Sequence, residues 1–145
     1  MKILVQRVSQ ASVEVEGKRV ASIRRGVLAL VGVTHRDTEK EASYLAQKLA
    51  SLRIFEDEEQ TMNRSLLDIQ GEVLIVSQFT LYGDCSQGRR PSFLQAARPE
   101  QAELLYLTFI QEVKNSALSV QTGVFGASMK VSLVNEGPVT LMMEK

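Results

Sequence analysis

Hydrophobic and polar positions change period several times along the chain, and each change predicts an element. Ile3, Val5 and Arg7 alternate with Leu4, Gln6 and Val8, and Ala11, Val13 and Val15 repeat at period two, so the chain opens in strands. Gly17-Lys18 predicts the hairpin turn that leads into Val20. Val27 to Val33 is apolar on both faces, which suits a central strand covered on each side. Asp37-Thr38 then opens a helix whose Ala42, Leu45, Leu49 and Leu52 fall at 3,4,3 spacing. Phe55 to Asp68 is acidic and irregular, with a turn at Asn63-Arg64-Ser65, and Glu72 to Phe79 forms a second buried strand.

Tyr82 to Pro91 reads as a loop carrying two glycines and Arg89-Arg90. Pro99 suits the first residue of a second helix, with Ala102, Leu105, Phe109 and Val113 buried. Leu104, Leu107 and Ile110 widen its apolar face beyond one core's needs. Strands near Ser119–Thr122, Met129–Asn135 and Val139–Met143 close the chain. The pattern predicts a single α+β domain over residues 1–145, its sheet mostly antiparallel, with two main helices.

Composition narrows the class of function. The 145 residues suffice for a core without metals or disulfides, and 44% apolar with 23% charged is ordinary for a globular domain. No apolar run is long enough to span a membrane, and the first residues lack a signal-peptide pattern. One cysteine, Cys85, allows no internal disulfide, so a cytoplasmic location is expected. Formal net charge is +0, so a nucleic-acid partner needs a local basic patch, for which Arg24-Arg25 and Arg89-Arg90 are the paired arginines.

The chemistry is limited by what is missing. A single histidine, His35, between a strand and a charged helix start, reads as a loop residue, and triads that need histidine have little support. With one histidine and one cysteine no metal site is expected, and no phosphate-loop or dinucleotide fingerprint occurs, so no cofactor is expected. Ser77, Gln78 and Thr80 carry hydroxyls and an amide with no base among their sequence neighbours. They read either as satisfied polar groups at a strand end or as donors that stabilise an oxyanion. Gly137-Pro138 interrupts a terminal strand and reads either as a trans turn or as a cis unit with bare carbonyls facing a ligand.

Four segments sharpen this reading: Ser77-Gln78-Phe79-Thr80-Leu81-Tyr82, Gly88-Arg89-Arg90-Pro91-Ser92-Phe93, Gly123-Val124-Phe125-Gly126-Ala127-Ser128-Met129 and Asn135-Glu136-Gly137-Pro138-Val139-Thr140. Together with Val5-Gln6-Arg7-Val8, Ala11-Ser12-Val13 and Leu52-Arg53-Ile54-Phe55, they resemble the D-aminoacyl-tRNA deacylases, also called D-tyrosyl-tRNA deacylases, over essentially the whole chain. Glu136 stands where that family more commonly has aspartate.

The resemblance implies a barrel-like homodimer with sites at the subunit interface, hydrolysing D-aminoacyl-tRNA and glycyl-tRNA. Ser77, Gln78, Phe79 and Thr80 would form the catalytic pocket, with Phe125 and Met129 beside it. Gly137 and Pro138 would be a cis unit that enters the partner's pocket, grips the α-amino group and excludes L side chains. The 2′-OH of the terminal adenosine would assist the chemistry. Arg7, Arg89 and Arg90 are candidate tRNA contacts. Covalent catalysis by Thr80, or a nucleic-acid-binding dimer without hydrolytic activity, are the alternatives.

Overall fold

β1 (Lys2–Val15) organises the sheet because its two edges are both used. Its register places Leu4 opposite Met142 on one edge and opposite Leu30 on the other. The first half of β1 pairs with β3 (Gly26–Gly32) and its second half with β2 (Lys18–Ile23), both antiparallel. A computed structural model describes all residues, 1–145. The turn between β1 and β2 is Glu16-Gly17, with φ of 51° and 75°, one residue earlier than predicted. Both central positions of a tight hairpin of this hand require positive φ, which glutamate hides in the sequence.

After β3 come α1 (Glu39–Ser51), a small hairpin of β4 (Phe55–Glu56) and β5 (Met62–Arg64), and the one-turn α2 (Leu66–Ile69). Thr38 caps α1 in a capping box with Glu41, and Ser65 caps α2 in the same way with Asp68. The stretch predicted as irregular is therefore structured. Asp57 accepts hydrogen bonds from the N–H groups of Glu59 and Thr61 and from Asn63 Nδ2, and this shapes the hairpin. α2 is a third helix that its shortness concealed.

β6 (Glu72–Ser77) lies parallel to β3, and β7 (Ser119–Thr122) lies parallel to β6, with α3 (Pro99–Asn115) between them in sequence. β8 (Lys130–Glu144) returns antiparallel to β1 along nearly its whole length. The sheet is a mixed one, antiparallel around β1 and parallel around β6, curled into a nearly closed barrel. One core, including Ile3, Val5, Val27, Ile75, Leu45 and Phe109, lies between the sheet and the two long helices. A second, with Val8, Val13, Ile23, Leu28 and Leu74, fills the inside of the curl. Ile110 belongs to the first core, so the surplus apolar positions of α3 reduce to Leu104 and Leu107, 58% and 54% exposed.

Candidate active site

β6 ends where its hydrogen bonding changes partner. Val31 faces Ser77 as the last pair of the β3–β6 ladder, and the N–H of Gln78 still donates to Val31 O at 2.7 Å. The chain then tightens into a 3-10 turn over Phe79–Tyr82, with Leu81 N donating to Gln78 O at 3.2 Å. The predicted strand therefore stops two residues early. Gly32 permits this approach: a Cβ there would lie 3.0 Å from Leu81 Cβ and 3.1 Å from Gln78 O. At the head of the turn, the N–H groups of Phe79 and Thr80 precede any acceptor within it.

A cavity of about 590 Å³ opens beside this turn, within the range of small-ligand sites. Its walls come from Ser77, Gln78 and Phe79, from the segment leading into α3, and from residues 125–131. Five predicted residues thus meet around one space: Ser77, Gln78, Phe79, Phe125 and Met129. Thr80 does not line it. Its exposed hydroxyl accepts a hydrogen bond from Gln78 Nε2 and so fixes that amide. No lining side chain is titratable, and His35 is exposed, with Nε2 2.9 Å from Leu94 O.

Sequence reasoning missed the opposite wall. Phe93 meets Phe79 edge-on at 5.2 Å between ring centroids, and Ala96, Ala97, Pro99 and Ala102 leave the space open. That run of small residues was the available signal. Ala97 N donates to Val33 O at 2.9 Å, which ties this wall to the end of β3. Tyr106 braces the remaining side: its OH donates to Ile75 O at 2.9 Å, and its ring lies 5.9 Å from that of Phe125. Burial pushes the Tyr106 phenol up to about 12, so it remains a donor at neutral pH.

Gly137 and Pro138 line no part of this cavity. The sequence suggested a break before Val139, yet β8 runs through as one strand with a bulge. Gln6 pairs with Thr140 and Val8 with Asn135, so Glu136 to Val139 lie opposite the single Arg7, with Gly137 and Pro138 exposed and Val139 turned back into the core. The Gly137–Pro138 peptide is cis, and both residues are exposed. Asn135 Nδ2 closes the neck of the bulge by donating to Arg7 O at 2.9 Å and to Val139 O at 3.1 Å. In the sheet, β1 and β3 lie between this bulge and β6.

Arg7 is placed otherwise than expected for an RNA contact. It is only 6% exposed, and its Nη1 donates to Ile54 O at 2.7 Å while Nε donates to Glu136 O at 3.3 Å. The carboxylates of Glu56 and Glu136 lie 3.6 and 3.8 Å from its guanidinium. Arg7 therefore clamps the bulge from below. Its place in a strand gave no hint of this, because every partner is distant in sequence. Arg89 and Arg90 are exposed on the loop closed by the Asp84–Ser92 bridge and do not line the cavity.

No group of three or more His, Cys, Asp or Glu side chains is placed to hold a metal ion, and no helix is long and apolar enough to cross a membrane. The model of the family described as D-Tyr-tRNA(Tyr) deacylase matches residues 4–144. A D-aminoacyl-tRNA deacylase of Bacillus cereus (strain AH187) is 57% identical over 144 residues, covering 99% of each chain. Its counterpart in Bacillus thuringiensis (strain Al Hakam) has the same identity and coverage. Among solved structures, one described as c-Myc DNA Unwinding Element Binding Protein superposes with a TM-score of 0.93 at 41% identity, covering 100% of this chain and 99% of its own. A probable eukaryotic D-amino acid tRNA deacylase, at 22% identity and a TM-score of 0.84 over 98% and 97% of the chains, shares the fold. With the family model matched almost end to end and more than half of all residues shared with these Bacillus relatives, the chain belongs to the D-Tyr-tRNA(Tyr) deacylase family.

Proposed function

We propose that this protein hydrolyses the ester joining a D-amino acid, or glycine, to the terminal adenosine of tRNA, as a cytoplasmic homodimer. The observation that carries the mechanism is a cavity of ligand size whose walls contain no acid or base. An aminoacyl ester is activated already, so holding it against oriented donors suffices for much of the rate. Gln78 Nε2 gives one of its two N–H donors to Thr80, which leaves the other, together with the N–H of Phe79, to meet the developing oxyanion. Water adds to the carbonyl, and the 3′ oxygen departs with a proton relayed through the neighbouring 2′-OH.

In this reading the bulge at Gly137-Pro138 enters the cavity of the second subunit. There its carbonyls accept hydrogen bonds from the α-amino group and leave no room for an L side chain. Half-exposed Leu141 and Met142 follow the bulge on β8, an apolar margin suited to a partner of the same sequence. Glycine passes because it has no side chain to exclude. The deciding experiment compares deacylation of D-tyrosyl-tRNA and L-tyrosyl-tRNA by the purified protein. Rapid release from the D form alone is expected. Release of both at the uncatalysed rate would leave the second reading, a nucleic-acid-binding dimer, which is favoured by the 41%-identical solved relative being named for binding a DNA unwinding element.

Two further results are expected. Thr80→Ala frees the Gln78 amide and should slow deacylation by about tenfold without abolishing it, equivalent to about 1.4 kcal/mol. A trapped aminoacyl ester on Thr80 in the wild-type protein would contradict this and establish covalent catalysis. Because no titratable group lines the cavity, kcat should show no bell between pH 6 and pH 8. A bell with two inflections in that interval would reveal an acid–base pair that the site does not contain.

A further inference from the structure

A second cavity, of about 400 Å³, lies on the outer face of the sheet where β2, β1 and β8 run side by side. Its floor is a row of serines in register: Ser12 pairs with Ser22 on one side and with Ser132 on the other. Ala11, Val13, Ala21 and Ile23 alternate with them and are buried in the core beneath, so the serine hydroxyls face outward. Adjacent strands set the three hydroxyls about 5 Å apart. Arg24 and Arg19 stand in the same cavity.

The charges around this row are unequally engaged. Arg19 makes no salt bridge. The Arg24 side chain is 93% exposed and reaches Glu72 only at 3.9 Å, an exposed contact worth little. Glu14, the carboxylate on the neighbouring row of β1, is occupied by Lys130 at 3.7 Å. The floor therefore offers several hydroxyl donors and two available guanidinium groups. That is the donor set of phosphodiester recognition, where serine and arginine side chains meet phosphate oxygens without reading bases.

Position favours the same ligand. Met129 and Val131 line the first cavity on the inner side of β8, and Ser132 and Val134 line the second on its outer side. The two open on opposite faces of this strand, which pairs only with β1 and leaves its other edge for a ligand to pass round. Three strand residues cover only about 10 Å. We propose that the Ser12–Ser22–Ser132 groove, flanked by Arg19 and Arg24, docks the phosphodiester backbone of the tRNA body while its aminoacylated end occupies the first cavity. The proposal rests on the deacylase reading above. It supplies the local basic patch that a chain of zero net charge requires.

The test separates the two. Arg19→Ala/Arg24→Ala is compared with wild type on D-tyrosyl-tRNA and on 3′-O-D-tyrosyl-adenosine, which has no RNA body, and in binding of deacylated tRNA across a salt series. The variant should raise KM for the tRNA substrate about tenfold and leave turnover of the adenosine ester unchanged. The slope of log K against log salt should become shallower by about 1 to 2, the loss of one or two phosphate contacts. Arg19→Lys/Arg24→Lys, which keeps the charge, should recover most of the affinity. An unchanged KM and salt slope would overturn the proposal, and so would an equal loss on both substrates. If wild type hydrolyses neither substrate, the deacylase reading falls, and the tRNA-binding arm still decides the groove.

Discussion

Replacing Gly137 with alanine is expected to cut the ratio of D- to L-aminoacyl-tRNA hydrolysis by roughly 10- to 100-fold while the protein folds normally. Folding is spared because a Cβ at this position meets only Asn135 Oδ1, at 4.0 Å. Within the chain the methyl points into open space, and stability should change by no more than about 0.5 kcal/mol. In the proposed dimer that space would be where the bulge carbonyls meet the substrate's α-amino group. A methyl there displaces the bulge from its fit and relaxes the clash with an L side chain, and a 10- to 100-fold change in the ratio corresponds to about 1.4–2.7 kcal/mol of lost discrimination. Both ester hydrolysis rates and the unfolding midpoint should be measured on one preparation. An unchanged ratio in a folded, dimeric variant would reduce the bulge to a surface turn.

Arg7→Ala should produce the largest loss of stability together with a loss of discrimination. The guanidinium is buried and supplies the hydrogen bond to Ile54 O, so truncation leaves that carbonyl without its partner and opens space beneath the bulge. An orphaned buried acceptor and the accompanying void together cost about 2–4 kcal/mol. Glu56 and Glu136 add little to this, since their side chains are 52% and 38% exposed and can rehydrate. Arg7→Lys keeps the charge but cannot reproduce the fork that holds Ile54 O and Glu136 O together. It should therefore keep most of the stability and still lose part of the chiral ratio. A denaturant midpoint unchanged in Arg7→Ala would show that the clamp is idle.

What the sequence discloses depends on how local the cause is. Thr38 with Glu41, and Pro99 at the head of α3, mark their helix starts within one turn of chain, and both were legible. The apolar runs of β3 and β6 gave the buried strands, because covering both faces leaves no alternation to misread. The ends of elements were less visible. Phe79 continues the apolar run of β6, and only the turn back to Gln78 O, over a bare Gly32, ends the strand. Pro138 appeared to divide the last strand, whereas four residues opposite the single Arg7 absorb it as a bulge.

The candidate site divides along the same line. Ser77, Gln78, Phe79, Phe125 and Met129 were named from the sequence and share one cavity. The alanine-rich wall, the Tyr106 brace and the clamping role of Arg7 were not, since each depends on a partner more than 30 positions away. The row of serines on β1, β2 and β8 is equally hidden, because only cross-strand register aligns them.

Mixed dimers test most directly the proposed discrimination by main-chain atoms lent from one subunit to the other. One subunit carries Gln78→Ala and Thr80→Ala with further pocket changes until it is inactive, the other carries Pro138→Ala with an intact pocket, and differently tagged heterodimers are isolated. If the bulge acts across the interface, the single working pocket is served by the intact bulge of the inactive subunit. The D:L ratio of the heterodimer then returns to the wild-type value. A ratio as relaxed as that of the Pro138→Ala homodimer would mean that each chain screens its own substrate, and would contradict the account.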